Sequence, residues 1–352
     1  MQIICIYSSL LLTFITLWFI IANANHLRKG AAFMKKWILC LLTFSTALSL
    51  MSCSSDTSPS SDMSRSSENT SSALSVSVTF DAMAEFVNAV GKDKVTVTTI
   101  VPVGVEPHDF EPKASDIAGL SKAQVVVYNG LGMDSWITDA IQAAENNSLT
   151  VIDSSKNSVS LENADLKASD KADNATVTTD TTKKYDPHLW LSIKSAETQV
   201  QNIADGLSQA DPANKEFYQE NASSYIDSLE AVYNEYEPKF ASLPNKSFVT
   251  GHAAFGYFCR DFGLSQKSVE DVFAEGEPST RQLADLVDYC RSNDVTTIFA
   301  EEMASPEISK TLANEVNASV ETIYTMESAE DNLTYLERMQ KNCEKIYNSL
   351  SR

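Results

Sequence analysis

The sequence predicts an α/β protein of two lobes, each with a largely parallel sheet, joined by a long helix. Three observations carry that expectation. β-rich and helix-spaced segments alternate between residues 74 and 152; helical spacing then runs from 192 to 237; and the alternation resumes after Pro244. Repeated strand-then-helix order is the pattern in which each helix returns the chain for a parallel neighbour. At 352 residues the chain is long enough for two substantial cores.

Taken in order, Leu74 to Phe80 alternates apolar and small polar residues and predicts a strand, and Ala82 to Val90 a short helix closed by Gly91. Val95 to Val101 is β-rich and is halted by Pro102. A helix over Ser115 to Ser121 leads into an apolar strand over Gln124 to Tyr128, which ends at Asn129-Gly130. Trp136 to Ala144 has helical spacing, and Leu149 to Ile152 reads as a buried strand. Asp153 to Lys184 breaks the rhythm. Rich in Ser, Asn, Asp, Thr and Lys, it reads as an exposed insertion of low complexity.

The long helical stretch carries two apolar stripes, Ile193/Ala196/Val200/Ile203/Leu207 and Tyr225/Leu229/Val232/Tyr236. Asp211-Pro212 should end one helix and start the next, and Pro238 with Leu243-Pro244-Asn245 should mark entry to the second lobe. There, Ser247 to Thr250 predicts a strand and Ala253 to Asp261 a helix. Thr280 to Ser292 is helical, with Leu283, Leu286, Val287 and Cys290 spaced for burial. A buried strand over Thr296 to Ala300, a helix over Pro306 to Asn317, a strand over Val320 to Tyr324 and a terminal helix over Leu333 to Tyr347 complete the lobe.

The N-terminus reads as targeting sequence. Ile3 to Ala22 has roughly the length of a membrane-spanning helix, and a second apolar run follows Lys35-Lys36. Its end, Leu50-Met51-Ser52-Cys53, resembles a bacterial lipobox, with Cys53 as the lipidated residue; translation from Met34 would leave Ile3 to Ala22 without a role, and an uncleaved anchor over Ile3 to Ala22 is the rival reading. Ser54 to Ser72 is dominated by serine and reads as a flexible tether. The expected domains are therefore a targeting segment over 1–52, a tether over 53–73, an N-terminal lobe over 74–190 with its loop at 153–184, a helical connector over 191–238 and a C-terminal lobe over 239–352. Stable attachment to a lipid membrane through Cys53 would need more than one acyl chain.

The formal charge of −20 argues against nucleic acid as a partner. Cys259, Cys290 and Cys343 match no CxxC spacing, leaving one disulfide or buried free thiols open.

Only four histidines occur, and His26 falls in the targeting segment. The other three sit in Glu106-Pro107-His108, Asp186-Pro187-His188 and Gly251-His252, each at a helix breaker or strand end. Residues beyond the carboxyl ends of parallel strands line crevices in such sheets. These histidines are far apart along the chain, so any shared site must be assembled by the fold. Imidazoles with a carboxylate suit zinc, and a more oxygen-rich set would suit manganese.

The strings Val101-Pro-Val-Gly-Val-Glu-Pro-His108-Asp-Phe-Glu-Pro112, Asp186-Pro-His188-Leu-Trp-Leu191 and Gly251-His252-Ala-Ala-Phe-Gly-Tyr-Phe258 resemble the zinc/manganese solute-binding lipoproteins of bacterial ABC importers. Glu277-Pro-Ser-Thr-Arg-Gln-Leu283 and Ile298-Phe-Ala-Glu-Glu302 extend the resemblance, which runs from about Leu74 to Leu350. It implies His108, His188 and His252 as metal ligands, with Glu327 in Tyr324-Thr-Met-Glu-Ser328 as the fourth and Glu330 or Asp331 as alternatives. Manganese-preferring relatives usually place a carboxylate at the third position, so His252 favours Zn²⁺ over Mn²⁺. Many zinc relatives carry a histidine-rich loop between the first two ligands; here that loop has no histidine.

Glu106 and Glu111 flank His108 and read either as groups that orient its ring or tune the local charge, or as solvent-facing acids. Trp190 and the Phe255/Tyr257/Phe258 cluster are expected to pack around the site or within the cores. Glu277 and Arg281 read as a lobe-surface interaction or as helix-start capping.

The implied function is extracytoplasmic capture of zinc by a monomer on the outer face of the cell membrane, and its delivery to an ABC permease with a cytoplasmic ATPase. A manganese importer component, a metal-dependent hydrolase with Glu327 as base, and an adhesion or metal-sensing lipoprotein are the alternatives. No HExxH helix or nucleophile elbow favours the hydrolase.

Overall fold

Among the described residues, eight strands form two four-stranded sheets with the same connectivity. In the computed structural model, which describes residues 73–163, 184–274, 278–301 and 306–352, the first sheet is built from β1 (Leu74–Val78), β2 (Val95–Thr99), β3 (Val125–Tyr128) and β4 (Thr150–Asp153). The second comprises β5 (Ser247–Thr250), β6 (Ser265–Ser268), β7 (Thr297–Glu301) and β8 (Ser319–Ile323). Their orders are β2-β1-β3-β4 and β6-β5-β7-β8, with every pairing parallel. Each sheet therefore starts in its middle, steps to one side and then crosses back. All carboxyl ends within a sheet face one way, which is where such folds place ligand sites.

Burial follows strand position. The central strands β1, β3 and β7 are almost wholly buried, as expected when helices cover both faces of a parallel sheet. β4 was expected to be buried but is an edge strand, with Val151 47 % exposed. β6 has no counterpart in the sequence expectations. Ser-Gln-Lys-Ser lacks an apolar alternation because this strand forms an edge and buries none of its side chains fully.

In the first lobe the sheet is flanked by α1 (Asp81–Gly91), α2 (Ala114–Leu120) and α3 (Ile137–Ala144). The connector consists of α4 (Ile193–Ala210) and the 27-residue α5 (Lys215–Ala241), separated by a short turn over Pro212–Asn214. Ser192 caps α4 by accepting from the Ser195 N–H at 2.9 Å. Pro238 does not end α5 as expected. It lies in the last turn, where losing one backbone donor is tolerable, and the Ser242 N–H closes that turn on its carbonyl at 3.3 Å.

The second lobe adds α6 (Gly256–Phe262), α7 (Thr280–Ser292), α8 (Pro306–Val316) and α9 (Tyr335–Leu350). α6 starts three residues later than expected. Reciprocal Ser279/Gln282 and Thr334/Glu337 contacts start α7 and α9.

One core cluster runs through both lobes and the connector, including Val76, Phe86, Trp190, Tyr218, Phe240, Phe248 and Tyr335. A smaller cluster around Val249, Leu286, Ile298 and Leu312 lies beneath α7 and α8. The described residues all fall within a single compact unit. Cys259, Cys290 and Cys343 are buried free thiols.

The expected insertion at 153–184 is anchored at its described ends. Glu162 and Tyr185 form an antiparallel bridge, and the Leu161 N–H donates to the Tyr257 hydroxyl at 2.9 Å. Residues 164–183 lie outside the described residues, as do the targeting segment, Cys53, Glu277 and Glu302. Among the described residues no helix is long and apolar enough to cross a membrane.

Candidate metal centre

The three histidines expected to meet do meet, and Glu327 joins them. Each offers one ligand atom, and the four atoms all lie within 4.8 Å of one another. His188 is central, its Nε2 standing 3.2 Å from Nε2 of His108 and 3.3 Å from Nε2 of His252. Glu327 Oε1 is 4.0, 3.8 and 3.9 Å from the Nε2 atoms of His108, His188 and His252 respectively. Zinc–nitrogen bonds of about 2.0–2.1 Å in a tetrahedron set nitrogens roughly 3.3 Å apart. The two imidazole separations match that edge, and the carboxylate oxygen stands roughly half an ångström farther out than a similar Zn–O bond would place it.

The fold delivers these side chains from four segments. His108 lies beyond β2 in a turn-rich loop; Gly104 has φ +78°, and the Val105 N–H returns to the Pro102 carbonyl at 3.1 Å. His188 follows the insertion and precedes α4. His252 lies two residues beyond β5, and Glu327 four residues beyond β8. All four side chains are nearly sealed from solvent, between 0 and 4 % exposed.

The histidines are oriented by their own neighbours. Asp186 Oδ1 accepts from both the backbone N–H and ring Nδ1 of His188, each at 2.9 Å. The Asp186 carbonyl accepts from the Tyr257 hydroxyl at 2.7 Å, and Asn129, just beyond β3, donates to the Pro187 carbonyl at 2.8 Å. Glu301 Oε1 accepts from the His252 N–H at 3.1 Å and stands 3.6 Å from its Nδ1. Glu106 Oε1 accepts from the His108 N–H at 3.2 Å, and the Phe273 ring packs edge-on against His108 with centroids 5.5 Å apart. Such outer contacts fix the ring tautomer and direct the free lone pair inward.

The electrostatics suit a cation. Burial, and then His188, push His252 well below the ordinary histidine value, so its imidazole is neutral and available as a ligand. Burial, and then Glu106, push Glu327 well above the ordinary carboxyl value. Its Oε2 accepts from the Thr325 hydroxyl at 3.1 Å, whereas Oε1 is buried without a hydrogen-bond donor and faces the imidazoles. Burial likewise raises Glu301 to about 8.

The alternatives to Glu327 lie elsewhere. Glu330 is 4.0 Å from Arg338, and Asp331 accepts from the Tyr324 hydroxyl at 2.7 Å. Glu111 is exposed, and Arg281 is solvated, 3.9 Å from Asp285. Trp190 and the Phe255/Tyr257/Phe258 cluster are fully buried. Sequence reasoning missed the orienting roles of Asp186, Glu301 and Asn129. Asp186 and Glu301 lie within the strings that pointed to the site, but only the fold brings Glu301 to His252.

Two parallel-sheet lobes, a helical connector and a buried three-histidine, one-carboxylate cluster define a two-lobed metal-binding protein of the solute-binding type. The chain belongs to the ZnuA family, described as zinc-uptake complex component A, periplasmic, which it matches over residues 76–349. It is 45 % identical over 282 residues to a Treponema pallidum (strain Nichols) protein described as metal-binding, covering 79 % of this chain and 88 % of that one. It is 32 % identical over 282 residues, with the same coverages, to the high-affinity zinc uptake system protein ZnuA of Bacillus subtilis (strain 168). Among solved structures, the laminin-binding protein Lmb of Streptococcus agalactiae, described as bifunctional with adhesin and metal-transporting activity, is similar at a TM-score of 0.71 and 31 % identity. That likeness covers 79 % of this chain and 99 % of the other.

Proposed function

We propose that the chain captures zinc outside the cytoplasm through His108, His188, His252 and Glu327 and delivers it to a membrane ABC importer. The convergence of three Nε2 atoms and Glu327 Oε1 in a sealed cleft carries the reading. Three imidazoles and one carboxylate make a borderline-soft set that favours Zn²⁺ over the oxygen-rich environment preferred by Mn²⁺. Four protein ligands close the coordination sphere and leave no position for an activated water, so this is a carrier site rather than a catalytic one. The chain is not an enzyme: its family consists of solute-binding components.

The finer assignments rest on family membership. An ABC permease with its cytoplasmic ATPase is the receiving partner, and acylation at Cys53 tethers the protein to the outer face of the cell membrane. Zinc relatives described as lipoproteins support that placement.

Competition calorimetry on the chain from Cys53 onward tests the reading. One zinc should bind per chain, and His108→Ala, His188→Ala and Glu327→Ala should each weaken it. Tight one-to-one binding unchanged in all three variants would sink the proposed centre.

A further inference from the structure

Glu327 is the one member of the cluster held by a backbone segment that is itself strained and bordered by empty space. Met326, immediately before it, has φ +58°, a left-handed conformation that side chains other than Gly, Asn and Asp seldom adopt. The segment borders a cavity of about 170 Å³, which Glu327, Ser328 and Ala329 line together with Asp81, Thr99 and residues 101–103. Side-chain packing therefore does not press Glu327 inward from that direction.

Polar contacts supply the restraint. The Gly104 N–H donates to Ser328 Oγ at 2.8 Å, tying the segment to the loop that carries His108. The fully buried Arg338 of α9 donates through Nη1 to the Ser328 carbonyl at 2.7 Å and through Nη2 to Asp81 Oδ2 at 2.6 Å. The Asp81 N–H, at the start of α1, points to the Glu327 carbonyl at 3.5 Å. Before the strained residue, the Trp190 indole N–H donates to the Thr325 carbonyl at 2.7 Å.

We propose that Ser328, tied through its hydroxyl to the Gly104 N–H and through its carbonyl to the Arg338–Asp81 pair, is a positioning residue that clasps the Glu327 carboxylate against the three imidazoles, so that zinc retention depends on this interlobe clasp. Asp81 comes from the first lobe and Arg338 and Ser328 from the second, so the contacts join the lobes beside the ligand cluster. Loosening them lets the 326–328 backbone relax into the adjoining cavity and withdraws the single oxygen ligand, while the imidazoles keep their own supports. This inference rests on Glu327 being a ligand.

The test is zinc dissociation from the loaded chain, followed by transfer to an excess of a chromophoric chelator, together with the visible spectrum of the cobalt(II)-substituted protein. Ser328→Ala and Asp81→Asn should each speed release about 10-fold, the scale seen when partners beyond the ligands are lost, and should shift the cobalt bands towards those of Glu327→Gln. In the Glu327→Gln background, Ser328→Ala should have no further effect. Should Asp81→Asn fail to fold, Ser328→Ala keeps the Arg338–Asp81 pair and carries the test alone. Wild-type release and spectra in the folded clasp variants overturn the proposal, as does equal acceleration by Ser328→Ala in both backgrounds. If Glu327→Gln itself leaves affinity and spectrum unchanged, the ligand assignment fails and the clasp falls with it.

Discussion

Asp186 holds His188 twice with one oxygen, accepting from the backbone N–H and from ring Nδ1 at 2.9 Å each. A carboxylate oxygen only accepts, so the ring proton sits on Nδ1 and the Nε2 lone pair points at the other two imidazoles. Asp186→Asn should leave the fold intact yet weaken zinc binding about 10- to 100-fold, because an amide can present its N–H₂ side to Nδ1 and favour the wrong tautomer. Competition titration with a chelator of known affinity measures the loss. Unchanged affinity would show that the tautomer is fixed by something else.

Zinc loading should release a proton, and its source follows from the signs of two shifts. Glu327 is pushed well above the ordinary carboxyl value by burial and then by Glu106, so in the metal-free protein it holds its proton to higher pH than a free carboxyl does. His252 is pushed well below 6.5 by burial and His188, is already uncharged at neutral pH and has none to give. Binding should therefore displace the Glu327 proton wherever it is still held and strengthen as pH rises. The dependence of binding enthalpy on buffer ionisation reports the number. Glu327→Gln should abolish that release.

Gly251 has no room for a side chain. A Cβ there would stand 1.9 Å from Glu301 Oε2, next to the oxygen that accepts from the His252 N–H. Gly251→Ala should cost about 1–3 kcal/mol, as overpacking of a buried site does, and should displace His252. Thermal melts in the absence of metal read the first effect, and zinc titration reads the second. Glu301, raised to about 8, is protonated at neutral pH, so Glu301→Gln should be tolerated far better than Glu301→Ala.

Because one apolar core passes through both lobes and the connector, metal exchange should not require wide opening. Small-angle scattering of chelated and zinc-loaded protein should give nearly superimposable curves. A large change in radius of gyration on loading would contradict the continuous core.

Most of the architecture was legible because parallel sheets write themselves as apolar runs between helical stripes. Val125–Tyr128 and Thr297–Glu301 are central and buried, and both were plain in the sequence. Ser265–Ser268 was silent for the opposite reason: at an edge, its register comes from backbone pairing with β5 rather than from its side chains. Pro238 misled because a proline removes only its own donor to the preceding turn, a loss the last turn of a helix tolerates. The three histidines stood out by their rarity and their positions beside breakers. Glu327 could be preferred over Glu330 and Asp331 only through resemblance, since which acid turns inward depends on the left-handed Met326 that aims it. Glu301 and Asn129 carry no local signature, because each acts on a histidine that is distant in the chain.

The three thiols of the described residues bear on how cleanly the ion is handled. Cys259 and Cys343 are driven upward by burial, and Cys290 is raised to about 11 by the same cause. Sulfur competes for zinc only as thiolate. None of these sulfurs can therefore divert the cargo at neutral pH, and locked in the interior they present little to environmental oxidants, so an exported chain can keep them reduced without corrupting its stoichiometry.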